Sequence, residues 1–217
     1  MFNKKQKYIQ IAIDGPAGSG KTTIANQLSK TLNIKYLSTG FIFRTYASVM
    51  LDIDANDIDE IKKRLKQNKF EFKNDQCYVN GIDVTDNLQQ QNIGNQASAI
   101  SKHPYVRRKY EKDVRKMTKN MNVIMDGRDI GTVILPKAKY KFFMVASVDT
   151  RAKRRWLQLN KKQDLEEIRK QIIERDYADS NREHSPLKKA KDAIEVDTSN
   201  QTVEQTLDTI LKIIRGA

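Results

Sequence analysis

The chain has 217 residues, 38% of them hydrophobic and 31% charged, with a formal net charge of +13. That length suits one domain, or one domain with a modest insertion, and is enough to bury a core. A single cysteine, Cys77, excludes an internal disulfide and fits a reducing cytosol, and no apolar run approaches a membrane span.

The opening stretch MFNKKQKYIQIAIDG has too few consecutive apolar residues for a signal peptide or anchor, so a soluble, cytoplasmic protein is expected. Residues 8–13 form a short apolar run of the kind that makes a buried parallel strand. A glycine-rich turn follows, then a helical pattern over 22–32, a second strand over 34–37, and helices over 41–51 and 58–65. From 69 to 84 the pattern changes to alternation. Phe70-Glu71-Phe72 and Cys77-Tyr78-Val79 alternate, Asn74-Asp75 predicts a turn, and Asn80-Gly81 predicts a tight hairpin. Helical segments cover 87–102 and 104–119. A strand over 122–125 runs into Asp126-Gly127, and another spans 141–146. Helices start at Asp149 and Asp164. A short strand over 193–196 and an amphipathic helix over 203–214 close the chain. Strands separated by helices imply βαβ units and a parallel sheet.

The most specific motif is Gly15-Pro16-Ala17-Gly18-Ser19-Gly20-Lys21-Thr22, which matches G-x-x-x-x-G-K-[ST] between a strand and a helix. Its backbone N–H groups are expected to cradle phosphate oxygens, aided by the helix N-terminus. Lys21 would reach the β- and γ-phosphates, and the Thr22 hydroxyl would face Mg²⁺. Thr23 completes the ATP-binding segment. The motif specifies a nucleoside triphosphate without separating kinase from motor or GTPase. The chain has no Asn-Lys-x-Asp guanine-reading motif and no apolar strand ending in Asp-Glu.

It offers arginines instead. Arg44 follows the second strand, and Arg128 stands in Met125-Asp126-Gly127-Arg128-Asp129, at the strand end where α/β sheets bind ligands. Arg151, Arg154 and Arg155 open a helix, and Arg175 and Arg182 flank Asp179. Transfer between two phosphorylated molecules gathers negative charge that guanidinium groups can clamp. Each of these arginines could also be a solvated surface residue.

The segments AIDGPAGSGKTT, STGFIFR, GIDVTDN, ASAISKHPYVR, VIMDGRDIGTVILP, ERDYADSNREHSPL and DAIEVDT resemble the bacterial-type cytidylate kinases along the whole chain. The resemblance implies an α/β P-loop kinase fold. A central parallel sheet would be flanked by helices and carry a small inserted antiparallel β acceptor-binding subdomain and a helical lid. It would form a single domain over 1–217, with the monophosphate-binding region at about 38–100 and the lid at about 149–182. It further implies transfer of the γ-phosphoryl group of ATP to CMP or dCMP. Thr39 and Arg44 would belong to the monophosphate pocket. Ser98 and Arg107 would face the cytosine, and Asp129 would accept from its exocyclic amine. Arg128 and Arg182 would contact the acceptor phosphate, and Arg175 and Asp179 the ribose. The lid arginines Arg151 and Arg155 would contact ATP, with Arg154 joining Lys21, Arg128 and Arg182 in catalysis. Asp126 would hold Mg²⁺ with Thr22, through water.

Ser38 stands where the family usually has aspartate and Phe43 where it has tyrosine, which bears on acceptor affinity. Ala178 replaces a basic or polar residue of some relatives. UMP, AMP or shikimate remain alternative acceptors. A nucleotide-dependent RNA-binding module is a further alternative, invited by the positive charge. No RNA-binding motif accompanies that charge, so no nucleic acid or membrane partner is expected, and a monomer is.

Overall fold

A computed structural model of the chain describes residues 8–73 and 76–216. The expected Asn74-Asp75 turn and the first seven residues lie outside the described residues. The chain divides into two compact units, one of Met1–Tyr36 with Thr118–Ala217 and one of Leu37–Met117. Among the described residues no helix is long and apolar enough to cross a membrane.

The first unit is built on a five-stranded sheet. In chain order its strands are β1 (Gln10–Asp14), β2 (Lys35–Ser38), β6 (Val123–Gly127), β7 (Tyr140–Val145) and β8 (Ile194–Asp197). They lie in the order β2-β6-β1-β7-β8. β1 pairs in parallel with β6 and β7, and β7 in parallel with β8. β1 is central, and both its faces are also covered: Ile11, Ala12 and Ile13 are each 0% exposed. This is why a continuous apolar run, rather than an alternating one, encodes it. Ile11 and Ile13 share a face and pack with Ile24, Ala25 and Leu28 of α1 (Lys21–Leu32) and Ile210 and Leu211 of α8 (Val203–Arg215). α8 starts with a capping box, Thr202 accepting from the Gln205 N–H and Gln205 from the Thr202 N–H.

Two further helices pack against each other, α6 (Val148–Gln158) and α7 (Leu165–Asn181). Ser147 and Asp164 cap their N-termini, and Ala152, Ile168 and Ile172 make a small core with Trp156 and Leu159. The Asp164 cap explains the predicted start of α7.

The second unit contains α2 (Thr39–Ala47), α3 (Ile58–Gln67), α4 (Gln91–Ile100) and α5 (Pro104–Thr118), with an antiparallel sheet of β3 (Phe70–Lys73), β4 (Gln76–Val79) and β5 (Ile82–Asp83). Asn80 and Gly81 form the two-residue hairpin between paired Val79 and Ile82, with φ of 52° and 84°. Positive φ at both central positions is what an Asn-Gly turn supplies. Phe43, Tyr46, Phe70 and Tyr110 form an aromatic cluster, with Phe43 stacked on Tyr110 at 4.6 Å.

Two expectations are corrected. The helix expected over 87–102 is broken: a 3-10 turn covers Thr85–Gln89, Gln90 is extended (φ −61°, ψ 141°), and α4 begins at Gln91. The break releases the Leu88 and Gln90 carbonyls, and Arg44 takes both. The helix expected over 41–51 starts earlier, at Thr39, and ends at Ala47. Beyond β6 the sequence pattern suggested no element, yet Ile130–Ile134 forms a π turn.

Candidate active site

In the first unit, the turn between β1 and α1 sits at the carboxyl end of the sheet's central strand. Gly15 has φ 149°, and a Cβ there would lie 2.0 Å from the Met144 carbonyl oxygen, so no side chain fits where the loop leaves β1. Lys21 is 5% exposed, and its ammonium donates to the Pro16 carbonyl at 2.6 Å and to Ser19 Oγ at 3.4 Å. Ser19 Oγ also donates to Pro16. Burial pulls Lys21 down to about 7, the Arg128 charge adds to this, and Asp126 and Asp14 oppose it. Those influences identify the charges that surround the loop.

Asp126 is the last residue but one of β6, in register with Ile13 of β1. Its carboxylate receives two hydroxyls, Thr22 at 2.8 Å and Tyr36 at 2.6 Å. A hydroxyl and a carboxylate in contact make a hard-oxygen pair of the kind that suits Mg²⁺. Among the described residues no cluster of three or more metal-ligating side chains exists.

A cavity of about 520 Å³ opens beside the loop, lined by Gly18 to Ile24, by Arg154, Leu157 and Gln158 of α6, and by Thr198, Gln201 and Thr202 between β8 and α8. Arg154 donates to Thr198 Oγ1 at 3.0 Å and to the Thr198 carbonyl at 2.6 Å, and Thr198 Oγ1 in turn reaches the Ser19 carbonyl at 3.2 Å. Arg151 is buried, 4% exposed, and joins the Ala17 carbonyl to the Ala146 carbonyl and the Asp176 carboxylate. Its guanidinium therefore braces the loop backbone against α6 and α7. Arg155 is exposed, and its charge is felt at Arg175.

After β6 comes a second cluster. Arg128 Nε donates to Asp179 Oδ2 at 2.7 Å, and the Arg182 guanidinium lies 3.7 Å from Asp179 Oδ1 and 3.6 Å from Asp129 Oδ1. Arg182 Nε also donates to the Ser185 carbonyl at 2.6 Å. Asp129 is 1% exposed. Burial alone would raise the Asp179 carboxyl, but Arg128, Arg175 and Arg182 together hold it below the ordinary carboxylate range. Arg128, Asp129, Arg175, Asp179 and Arg182, scattered over the sequence, thus form one charged group.

In the second unit, Thr39 Oγ1 lies 3.2 Å from the Tyr110 hydroxyl. Arg44 is held by the broken helix, and a Cβ on Gly94 would come within 2.8 Å of Arg44 Nη2. Arg107 is 3% exposed, donates to the Ser101 carbonyl at 3.1 Å and lies over the Phe43 ring at 5.7 Å. Ser98 is exposed on α4. Phe43, where a hydroxyl was expected from the resemblance, fills its place with ring stacking.

Sequence reasoning missed Tyr36, Gly94, Thr198 and Gln201. The Tyr36 contact spans 90 residues and leaves no local pattern. It also gave no role to Asp14, although a carboxylate closing an apolar strand beside the loop was visible.

A family model described as cytidylate kinase matches residues 11–216. A cytidylate kinase of Fusobacterium nucleatum is 43% identical over 95% of this chain and 97% of its own. One of Thermosipho melanesiensis is 42% identical over 95% and 96%. Among solved structures, a shikimate kinase of Acinetobacter baumannii is similar with a TM-score of 0.50 at 14% identity, covering 97% of this chain and 94% of its own. That likeness speaks for the fold alone.

Proposed function

The chain belongs to the cytidylate kinase family, and from that premise we propose how its own residues transfer the γ-phosphoryl group of ATP to CMP or dCMP, giving CDP or dCDP and ADP. Family membership displaces the alternative acceptors UMP, AMP and shikimate and the RNA-binding reading.

The loop from Gly15 to Thr22 binds the ATP phosphates with its amides, and Lys21 follows the transferring group. Thr23, Arg154 and the cavity beside them take the rest of the nucleotide. Thr22 and Asp126 fit Mg²⁺, which when bound neutralises charge on the donor phosphates. In the first unit Arg128 and Arg182 hold the acceptor phosphate, Asp129 accepts from the cytosine amine, and Arg175 and Asp179 address the ribose. In the second unit we assign Arg44 and Thr39 to the acceptor's phosphate and Ser98 and Arg107 to its base. Arg155 closes on ATP, while Arg151 acts through the loop backbone it braces. The attacking oxygen is an anionic phosphate oxygen, so no general base is required; alignment and charge compensation carry the rate. The protein works in the cytoplasm as a monomer, a reading supported by its lone cysteine and the absence of an apolar interface stripe in the sequence.

The observation that carries this reading is the group of three arginines around Asp179 and Asp129 at the carboxyl end of β6, next to a phosphate loop. The test is an acceptor screen by coupled ADP release with ATP and Mg²⁺. CMP and dCMP should turn over far faster than UMP, AMP or shikimate, and Lys21→Ala should lower kcat by about a hundredfold or more while far-UV dichroism is unchanged. A preference for AMP, or a Lys21→Ala enzyme near full kcat, overturns it.

A further inference from the structure

Asp14 is the last residue of β1, and no step above uses it. Its side chain is nearly sealed from solvent, with the residue 4% exposed. The carboxylate accepts the N–H of Ile130 at 2.8 Å and the N–H of Gly131 at 2.7 Å. These amides open the π turn that follows Arg128 and Asp129 directly. One carboxylate on the phosphate-loop strand therefore grips the backbone carrying two acceptor-side residues.

The strands do not need this side chain to stay joined. Asp14 already pairs through its backbone register with Gly127 of β6 and Phe143 of β7. A buried carboxylate is costly: desolvation pushes it up to about 6, and the two amides only partly restore the charged form. The approach is also tight at the glycine that follows. A Cβ on Gly131 would sit 3.3 Å from Asp14 Oδ2 and 3.2 Å from Lys141 Cδ, closer than side chains normally pack. π turns concentrate at functional positions, where they re-aim neighbouring side chains.

We propose that Asp14 is a positioning residue, whose carboxylate fixes the Arg128-Asp129 backbone relative to the phosphate loop and so aligns the acceptor with the donor. This rests on the assignment of Arg128 and Asp129 to the acceptor. The carboxylate acts as a remote cap, offering two acceptor oxygens to two successive amides that would otherwise be buried without partners. An asparagine cannot replace it: one oxygen accepts one N–H, and the amide nitrogen then opposes the other.

The experiment compares wild type, Asp14→Asn and Gly131→Ala. KM and kcat are measured with CMP and with UMP, ATP affinity by calorimetry without acceptor, and hydrogen exchange at the Ile130 and Gly131 amides. Both variants should raise KM for CMP by about tenfold and lower the CMP-over-UMP preference, while ATP affinity changes by less than about threefold. Exchange at the two amides should accelerate. Gly131→Ala disturbs the same contact without removing the charge, and it carries the test if Asp14→Asn fails to fold. An unchanged CMP-over-UMP ratio, with CMP and ATP weakened equally, makes Asp14 a mere packing element and overturns the inference alone. A wild-type enzyme with no preference for CMP over UMP removes the underlying assignment and the inference with it.

Discussion

Asp179 shows how a single residue can organise a binding surface. It lies between Arg128 and Arg182, which are both mostly buried, with side chains 17% and 13% exposed. Three guanidinium groups so close would repel one another, and the carboxylate offsets that repulsion while leaving donors for an anionic ligand. Asp179→Asn should therefore cost about 1–3 kcal/mol at neutral pH, read from denaturant midpoints, because the arginines lose their counter-charge. The pH dependence has a definite sign. The folded-state pKa lies below the ordinary 3.8, so the stabilisation is complete above that value and is lost as pH falls through the lower folded one. The gap between wild type and Asp179→Asn should be flat near neutrality and close only in acid. A gap that widens on acidification would contradict this. At the same scale, Tyr36 and Thr22 fix the two oxygens of Asp126, which needs no local sequence signature because the strands bring these residues together.

At the scale of elements, the broken helix before α4 is the informative case. Apolar spacing over 87–102 reads as one helix because Leu88, Ile93, Ala97 and Ile100 are all buried on the same unit. Extended Gln90 interrupts it, and the Arg44 guanidinium takes the freed carbonyls. Gly94 leaves room for that guanidinium. Gly94→Ala is thus expected to divide stability from function. Alanine in the middle of α4 should favour the helix by up to about 1 kcal/mol, while its methyl group displaces only the far end of a flexible side chain. Thermal melts should show an unchanged or higher Tm, and KM for CMP should rise about tenfold as Arg44 moves. A lowered Tm with unaltered KM would mean Arg44 has a structural task only. The same lesson applies to the hairpin, which was legible because Asn-Gly demands a backbone that few other pairs supply.

At the scale of the whole molecule, the core and the chemistry are separable. The cluster made by β1, α1 and α8 includes Ile24, Leu28 and Ile210, all essentially sealed from water. Ile210→Ala should cost about 2–5 kcal/mol, measured as a lowered urea midpoint at unchanged m. Its kcat per folded molecule should stay at the wild-type value, since Ile210 belongs to the apolar cluster and not to the phosphate loop. A selective fall in kcat would show that α8 couples into the reaction.

The sequence by itself determined the sheet, the phosphate loop, the hairpin and the family, because each is written in contiguous residues: a buried run, a glycine spacing, an Asn-Gly pair, the segment DGRDIGTVILP. It also named most of the arginines. What only tertiary structure decided is which charges meet. Arg151 proved to be a brace committed to Ala17 and Asp176, Asp179 the centre of a guanidinium group, and Asp14 a cap for amides more than a hundred residues away. Such contacts depend on strand register and on the space a missing Cβ leaves, and neither is a property of any local stretch of chain.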